Sequence, residues 1–293
     1  MINIERHKLD ALKTEYYIED LMEQYDRLEN KVIPAYKVNT DKYDLGIMTF
    51  YTLDDIARYN LVLEEEQDRK LQTEVLFLWQ YISKAFYSLA YGAGREVTIN
   101  LKEENFRHQG IAYKSDMGFG SWLKAYSAFR VMRDNEGLEI LNNITEDAMS
   151  LGDWNKMEKN MLYYFANIGQ GNYHELEKYL IPAIKSTSAD SGDFEINSVS
   201  VEYNMYIYEP LLFVYEALLR NDEAEFNKQI EEALNRYKQF YDKKVKNRIV
   251  DGWMSWLILA PVSMAYDLGI KINVKSDYIP EWLYKAEFNK PHS

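Results

Sequence analysis

The stretch that decides the fold of this chain is residues 252–266, which read Gly-Trp-Met-Ser-Trp-Leu-Ile-Leu-Ala-Pro-Val-Ser-Met-Ala-Tyr. Between its first tryptophan and its final tyrosine only two serines are polar, so a helix here would have no face left for water. A helix that is apolar all round is buried, in a large core or in a membrane. A membrane span needs roughly 20 apolar residues, and this run is too short. It therefore predicts a central core helix, with Trp253 and Trp256 on one side and a kink or a new start at Pro261.

The composition bounds the class of protein. Of the 293 residues 47% are hydrophobic and 15% aromatic, which is enough for a substantial core and excludes global disorder. The formal charge of −13 disfavours nucleic-acid binding, which needs a clustered basic surface, and favours fast encounter with a basic partner. Because there is no cysteine, disulfides and thiolate metal sites are excluded. The N-terminus lacks an apolar leader, so we expect a cytoplasmic protein with no membrane partner.

Helical periodicity covers most of the first ninety residues. A first amphipathic helix is predicted to end before Pro34, since proline interrupts helices. Thr52, followed three residues later by Asp55, resembles a capping box and predicts a helix start. The pattern then runs to Tyr91 with a predicted break between Glu64 and Lys70, and Gly92-Ala-Gly predicts its end.

A short strand and a boundary are predicted next. Val97-Thr-Ile-Asn-Leu101 is typical of a strand, and the residues that follow, up to Gly120, are rich in turns. We expect a single domain over 1–293 with a seam near 92–118. The seam would separate an N-terminal helical part, 1–91, from a second part, 117–284.

Three helix–turn–helix units follow the seam. Their first helices hold Trp122, Trp154 and Leu211, and the polar turns come after about residues 132, 168 and 219. Ser121, Asp153 and Asp222 are predicted helix caps. The predicted fold class is therefore all-α: stacked antiparallel helical hairpins around a buried apolar helix, with at most a small β element.

The search for catalytic groups finds no constellation. Of four histidines, His7 and His292 lie near the termini, where anchoring is poor, and no two have metal-ligand spacing. Glu104 and His108 are four residues apart and would share a face if that segment were helical, most simply as a surface hydrogen bond. No nucleophile or phosphate-binding motif is present. We expect no catalytic, cofactor or metal site, and a protein that is not an enzyme.

Two acidic tracts are the candidate partner-binding residues. Between Asp134 and Asp153 there are six acids and no base, and the loop 186–195 is polar and longer than a hairpin needs. Such runs are usually solvated surface, and the alternative is a partner surface. The candidates are Asp190, Asp193 and Glu195 in the loop, and Glu136, Glu139 and Asp147 in the first tract.

The last third resembles a known family. Asp251-Gly-Trp253, then Ala265-Tyr-Asp-Leu-Gly269, then Ser276-Asp-Tyr-Ile-Pro280 with Leu283 keep the order of elements of the immunity protein 49 family of bacterial polymorphic-toxin systems. Trp122, Arg133-Asp134 and the leucines after them also resemble it. The resemblance covers about residues 117–284. One departure is Trp253, which is bulky for the position after the glycine.

The resemblance implies an all-helical cytoplasmic protein that binds one cognate toxin and blocks it without catalysis. It carries over no interface residue, because the matching positions are apolar and structural. Two alternatives are a helical-hairpin scaffold or regulatory binding protein without a toxin partner, and a helical enzyme that uses acidic residues. A secreted toxin encoded beside the gene would favour the toxin-binding immunity protein over these two alternatives.

Overall fold

The structure is a computed structural model that describes residues 1–7, 14–38, 45–60, 69–102, 104–113, 117–168, 176–187 and 201–289. Within these ranges helices dominate and the strands form two sheets of two strands each. The all-α prediction is therefore confirmed. The backbone packs into two compact units: one is Ala11–Phe129, Asp134–Gly152 and Pro291–Ser293, and the other is Met1–Asp10, Arg130–Arg133 and Asp153–Lys290. The single domain and its seam at 92–118 stay predictions.

The described part of the first unit contains seven helices and a β-hairpin. The last three residues of α5, 130–132, belong to the other unit. The helices are α1 (Thr14–Arg27), α2 (Ile33–Val38), α3 (Leu45–Tyr59), α4 (Arg69–Tyr91), α5 (Phe119–Met132), α6 (Asn135–Asn142) and α7 (Glu146–Leu151). The strands β2 (Glu96–Leu101) and β3 (Glu104–Gln109) pair antiparallel. We number the strand Ile2–Ile4, which lies in the other unit, β1.

Two predictions about helix ends in this unit are wrong. The helical path does not end before Pro34: a π-helical turn, Leu28–Val32, leads from α1 into α2, and Pro34 lies in the first turn of α2. Proline is tolerated in a first turn. Thr52 does not cap a helix, because α3 starts at Leu45. Its hydroxyl is buried and accepts a hydrogen bond from Gln24 Nε2 at 2.8 Å, which joins α3 to α1.

The end of α4 and the hairpin after it follow local sequence. α4 ends at Tyr91, directly before Gly92-Ala-Gly, as predicted. The predicted break between Glu64 and Lys70 lies mostly outside the described residues. The Val97–Leu101 strand is confirmed within β2, but residues 104–108 form β3 and not a helix. His108 pairs with Val97 and Glu104 with Leu101, so the condition under which Glu104 and His108 would share a helical face is not met.

The second unit holds the remaining helices. They are α8 (Lys156–Ile168), α9 (Glu177–Thr187), α10 (Val201–Tyr203), α11 (Glu209–Leu219), α12 (Glu223–Tyr241), α13 (Trp256–Asp267) and α14 (Glu281–Tyr284). α8 packs against α9 and α11 against α12, which agrees with the predicted hairpins. Asp222 caps α12 as predicted, with Oδ1 accepting from Glu225 N at 3.0 Å.

The other two predicted caps are wrong. Ser121 lies inside α5, which begins at Phe119. Asp153 has a left-handed backbone, with φ of 52°, and precedes the cap by two residues. Asn155 and Glu158 form a reciprocal capping box at the start of α8. Asn155 Oδ1 accepts from Glu158 N at 2.9 Å, and Glu158 Oε2 accepts from Asn155 N at 3.0 Å.

The apolar run at 252–266 forms the buried helix α13. Ser255 caps it, with Oγ accepting from Ile258 N at 3.3 Å, so Trp253 lies before the helix and not on it. Trp253 is nonetheless buried and donates Nε1–H to Asn247 O at 3.2 Å. α13 continues through Pro261 without a new start, and it packs against α11, α12 and α14.

The N-terminus is part of the second unit. β1 pairs in parallel with β4 (Val274–Ser276), placing Ile2 opposite Val274 and Ile4 opposite Ser276. The partner strand of β1 thus lies almost the whole chain away in sequence. The expectation that His7 is poorly anchored is wrong, because its side chain is 3% exposed.

Candidate functional site

The residues that carry the family resemblance hold the fold together. Arg133 donates from Nε and Nη2 to the two carboxylate oxygens of Asp267, at 3.0 and 2.8 Å, and from Nη2 to Tyr284 O at 2.6 Å. Asp134 caps α6, with Oδ1 accepting from Gly137 N at 3.0 Å. These side chains use their polar atoms inside the protein, so they are not free to bind a partner.

The closing Ser276–Pro280 segment is structural as well. Ser276 Oγ donates to Ile4 O at 2.7 Å. The Tyr278 hydroxyl accepts from His7 N at 2.9 Å and lies 2.8 Å from His7 Nδ1. The His7 ring stacks on Tyr278 and Tyr241, with centroids 6.1 and 6.5 Å away. Burial lowers the pKa of His7 below its ordinary value.

The predicted partner-binding residues fall into three groups. Asp190, Asp193 and Glu195 lie outside the described residues. Glu136 is exposed but accepts from Lys84 Nζ at 2.5 Å, so it is engaged within its own unit. Glu139 and Asp147 are exposed and form no ion pair or hydrogen bond within the described part of the chain. Of the three candidates in the described part of the chain, these two remain available to a partner.

Asp147 lines a pocket in the first unit that we call the Asp147 pocket. Its volume is about 690 Å³. Its walls are formed by the end of α4, the turn before β2, Ala112, and α7 with its N-cap residue Thr145. Asp147 and Arg95 supply opposite charges to it, and Tyr91 lines it. The Tyr91 hydroxyl is buried with no hydrogen-bond partner among the described residues, and burial raises its pKa well above the ordinary value.

A second concave surface lies between α1 and α3, also within the first unit. We call it the α1–α3 groove; its volume is about 960 Å³. Met22 and Tyr51 line it and are 57% and 56% exposed. Its charged lining has four carboxylates and three cations: Asp20, Glu23, Asp26 and Asp55, with Arg27, Lys31 and Arg58.

The charges of the α1–α3 groove are unevenly paired. Arg58 donates to Asp55 at 2.7 Å, and Lys31 lies 3.2 Å from Asp26. Asp20 and Glu23 make no ion pair within the described ranges. Asp55 is 8% exposed, and burial raises its pKa to about 6; Arg58 opposes that shift, and the neighbouring carboxylates of Asp54 and Asp20 add to it.

Sequence reasoning did not find either concave surface. Asp20 and Tyr51 are thirty-one positions apart, and no sequence motif links them. The one available signal was apolar residues on the polar side of amphipathic helices, since Met22 follows Ile18 by one helical turn and both are exposed.

The described residues contain neither a metal-binding cluster nor a membrane-spanning helix. Across the described ranges, no three histidine, aspartate or glutamate side chains are grouped to hold a metal ion. Over the same ranges, none of the helices combines the length and apolarity required to cross a membrane.

Comparison with known proteins gives one match. The model of the family described as Immunity protein 49 matches residues 65–283, about three quarters of the chain. No curated protein and no solved structure matches. The match begins well before residue 117, so it includes α4 and the β2–β3 hairpin as well as the segment that carried the resemblance. It begins after the α1–α3 groove.

Proposed function

Because this chain belongs to the immunity protein 49 family, we propose that it binds one cognate bacterial toxin and neutralises it by covering a surface that the toxin needs. The observation that carries this proposal is the family match over residues 65–283. The protein would act as a stoichiometric binder in the cytoplasm and not as an enzyme.

The charge of the chain supports a basic toxin as the partner. The formal charge is −13, and oppositely charged partners meet faster than neutral ones. Free carboxylates at the surface are the groups that can meet such a partner directly. Glu139 and Asp147 meet that requirement, whereas Glu136 already neutralises Lys84. We keep Asp190, Asp193 and Glu195 as a second candidate set on the strength of the sequence.

Coexpression with the toxin domain encoded beside the gene tests the function. We expect the wild-type chain to restore growth of the host. Two charge-reversed variants are then compared with it: one changes Asp190, Asp193 and Glu195 together to lysine, and the other combines Glu139→Lys with Asp147→Lys. We expect each variant to fold normally, because surface charges contribute little to stability. We expect each to lose protection, because surface charges set the rate of association with the toxin.

A matched control separates the local effect from the change in net charge. Glu5→Lys with Glu231→Lys alters the charge by the same amount as the Glu139 and Asp147 pair, at two unpaired carboxylates of the other unit. It should protect like the wild type. Absence of protection by the wild type would contradict the proposed function. Full protection by both reversed sets would place the interface elsewhere, for example on Tyr203 to Tyr208.

A further inference from the structure

The α1–α3 groove presents large apolar side chains to solvent. Met22 on α1 and Tyr51 on α3 both line it, and more than half of each side chain's reference area is exposed. Methionine and tyrosine are enriched at protein–protein interfaces, where they supply contact area with few polar atoms to desolvate.

Two carboxylates of the groove, Asp20 and Glu23, have no ion pair among the described residues. Asp20 on α1 and Asp55 on α3 line the groove together, and the negative charge of Asp20 raises the pKa of Asp55. Asp54 lies outside the lining and is paired with Lys124. Arg58 and Lys31 are each paired with one groove carboxylate, at 2.7 and 3.2 Å. That leaves Arg27 as the cation of the groove lining without an ion pair among the described residues, against the two free carboxylates.

Repulsion between fixed carboxylates is unfavourable for the folded chain, and a positive charge placed between them removes it. A lysine or arginine side chain can do this while its methylene stem lies on apolar neighbours, because these side chains are amphipathic. Met22 and Tyr51 offer such neighbours in the same groove. The groove thus matches a basic side chain in both charge and apolar contact.

The position of the groove relative to the family match is an independent observation. Its lining residues run from Asp20 to Arg58, and the match begins at residue 65. The family pattern therefore does not constrain this surface. An immunity protein needs one surface that distinguishes its own toxin from others, and a surface outside the shared pattern is free to do that.

We propose that the α1–α3 groove binds a basic segment of the cognate toxin, with a lysine or arginine held by Asp20 and Glu23 and its stem against Met22 and Tyr51. This inference rests on the proposed function and names the surface that selects the toxin. The flanking carboxylates Asp26 and Asp55 keep their own partners, Lys31 and Arg58, when the segment binds.

The test measures affinity for the purified, catalytically inactivated toxin domain encoded beside the gene, together with protection in coexpression. Two matched pairs are compared. Glu23→Lys is set against Glu19→Lys, an exposed glutamate four residues earlier on α1 that does not line the groove. Tyr51→Ala is set against Tyr16→Ala, whose side chain is 58% exposed and also outside the groove.

We expect Glu23→Lys and Tyr51→Ala each to weaken binding at least about tenfold, while Glu19→Lys and Tyr16→Ala stay within about twofold of the wild type. Raising the salt concentration should weaken the wild type more than the charge-reversed variant. Thermal melts identify any variant that does not fold. If Glu23→Lys does not fold, Glu23→Gln is measured in its place.

The outcomes separate the two proposals. Wild-type affinity and protection in the groove variants would overturn the groove assignment and leave the immunity function standing. Equal loss in the groove variants and their controls would also overturn the assignment, since the effect would then be one of net charge. A wild-type chain that neither binds nor protects would overturn the proposed function and the groove assignment with it.

Discussion

At the scale of single residues, Gly252 is constrained by one neighbour. A Cβ atom built there would lie 2.4 Å from atoms of the Tyr241 ring, closer than any real contact. Tyr241 is itself buried, so the ring has little room to move away. This explains in physical terms why glycine precedes Trp253.

We expect Gly252→Ala to lower the free energy of unfolding by about 1–3 kcal/mol, the usual cost of overpacking. Urea denaturation of the mutant and the wild type measures it. Gly118→Ala is the control, because no heavy atom lies within 4 Å of a Cβ at that position. A change as small as that of the control would mean that Tyr241 moves aside.

Asp55 is a residue whose charge opposes folding. Its pKa is raised from 3.8 to about 6, so between these values the folded state holds more protons than the unfolded state. The contribution of Asp55 to the free energy of unfolding therefore rises as the pH falls from about 7 toward 4, and falls as the pH rises. Arg58, whose guanidinium donates to Asp55 at 2.7 Å, offsets only part of that cost.

We predict that Asp55→Asn stabilises the protein by about 1–3 kcal/mol at pH 7 and has little effect near pH 4. Melting temperatures of the two proteins at both pH values provide the measurement. Asp26→Asn is the comparison, since hydrogen bonds from Asn30 and Lys31 lower the pKa of Asp26 and its removal should not stabilise. Destabilisation by Asp55→Asn at pH 7 would show that the Arg58 pair outweighs burial and repulsion.

At the scale of elements, the N-terminal strand β1 closes the second unit. Its backbone pairs with β4, and Arg6 Nη2 donates to Asp277 O at 2.8 Å. The Tyr278 hydroxyl accepts the His7 amide hydrogen and can donate its own hydrogen to Nδ1 of a neutral imidazole.

The lowered pKa of His7 leads to the opposite pH dependence from Asp55. Stability from a buried neutral histidine is complete above its unfolded pKa, about 6.5, and is lost as the pH falls toward the folded value. The charged groups facing it, Asp242, Arg6 and Lys238, do not reverse that direction. We expect His7→Gln to reduce the loss of stability between about pH 7.5 and pH 5.5.

The measurement is the urea midpoint of unfolding at those two pH values, with and without His7→Gln. Both proteins also carry Asp55→Asn, so that the pH dependence from Asp55 does not hide that from His7. The interpretation fails if both proteins lose the same stability on acidification. Removing residues 1–7 altogether should lower the midpoint at both pH values, since it also removes β1.

At the scale of the whole molecule, no metal is expected to support the fold. No metal-holding group occurs within the described residues, and the chain contains no cysteine. We predict that EDTA leaves the melting temperature unchanged to within about 1 °C and that elemental analysis finds no stoichiometric transition metal. A lowered melting temperature that added metal restores would contradict this.

The sequence by itself determined the helical class, the hairpins at α8–α9 and α11–α12, and the family. These rest on local signals: the period of apolar residues, a capping aspartate such as Asp222, and a glycine stop such as Gly92. The predicted cap Asp153 was wrong because its backbone is left-handed, and Asn155, two residues later, caps α8 instead.

Only the tertiary structure decided which charged groups are free. Glu136 and Glu139 look alike in sequence, yet Lys84, over fifty positions away, neutralises only the first. His7 became a buried residue through Tyr278, and the α1–α3 groove exists only where Asp20 and Asp55 meet. Burial and pairing depend on neighbours that are distant along the chain, and local sequence patterns carry no record of them.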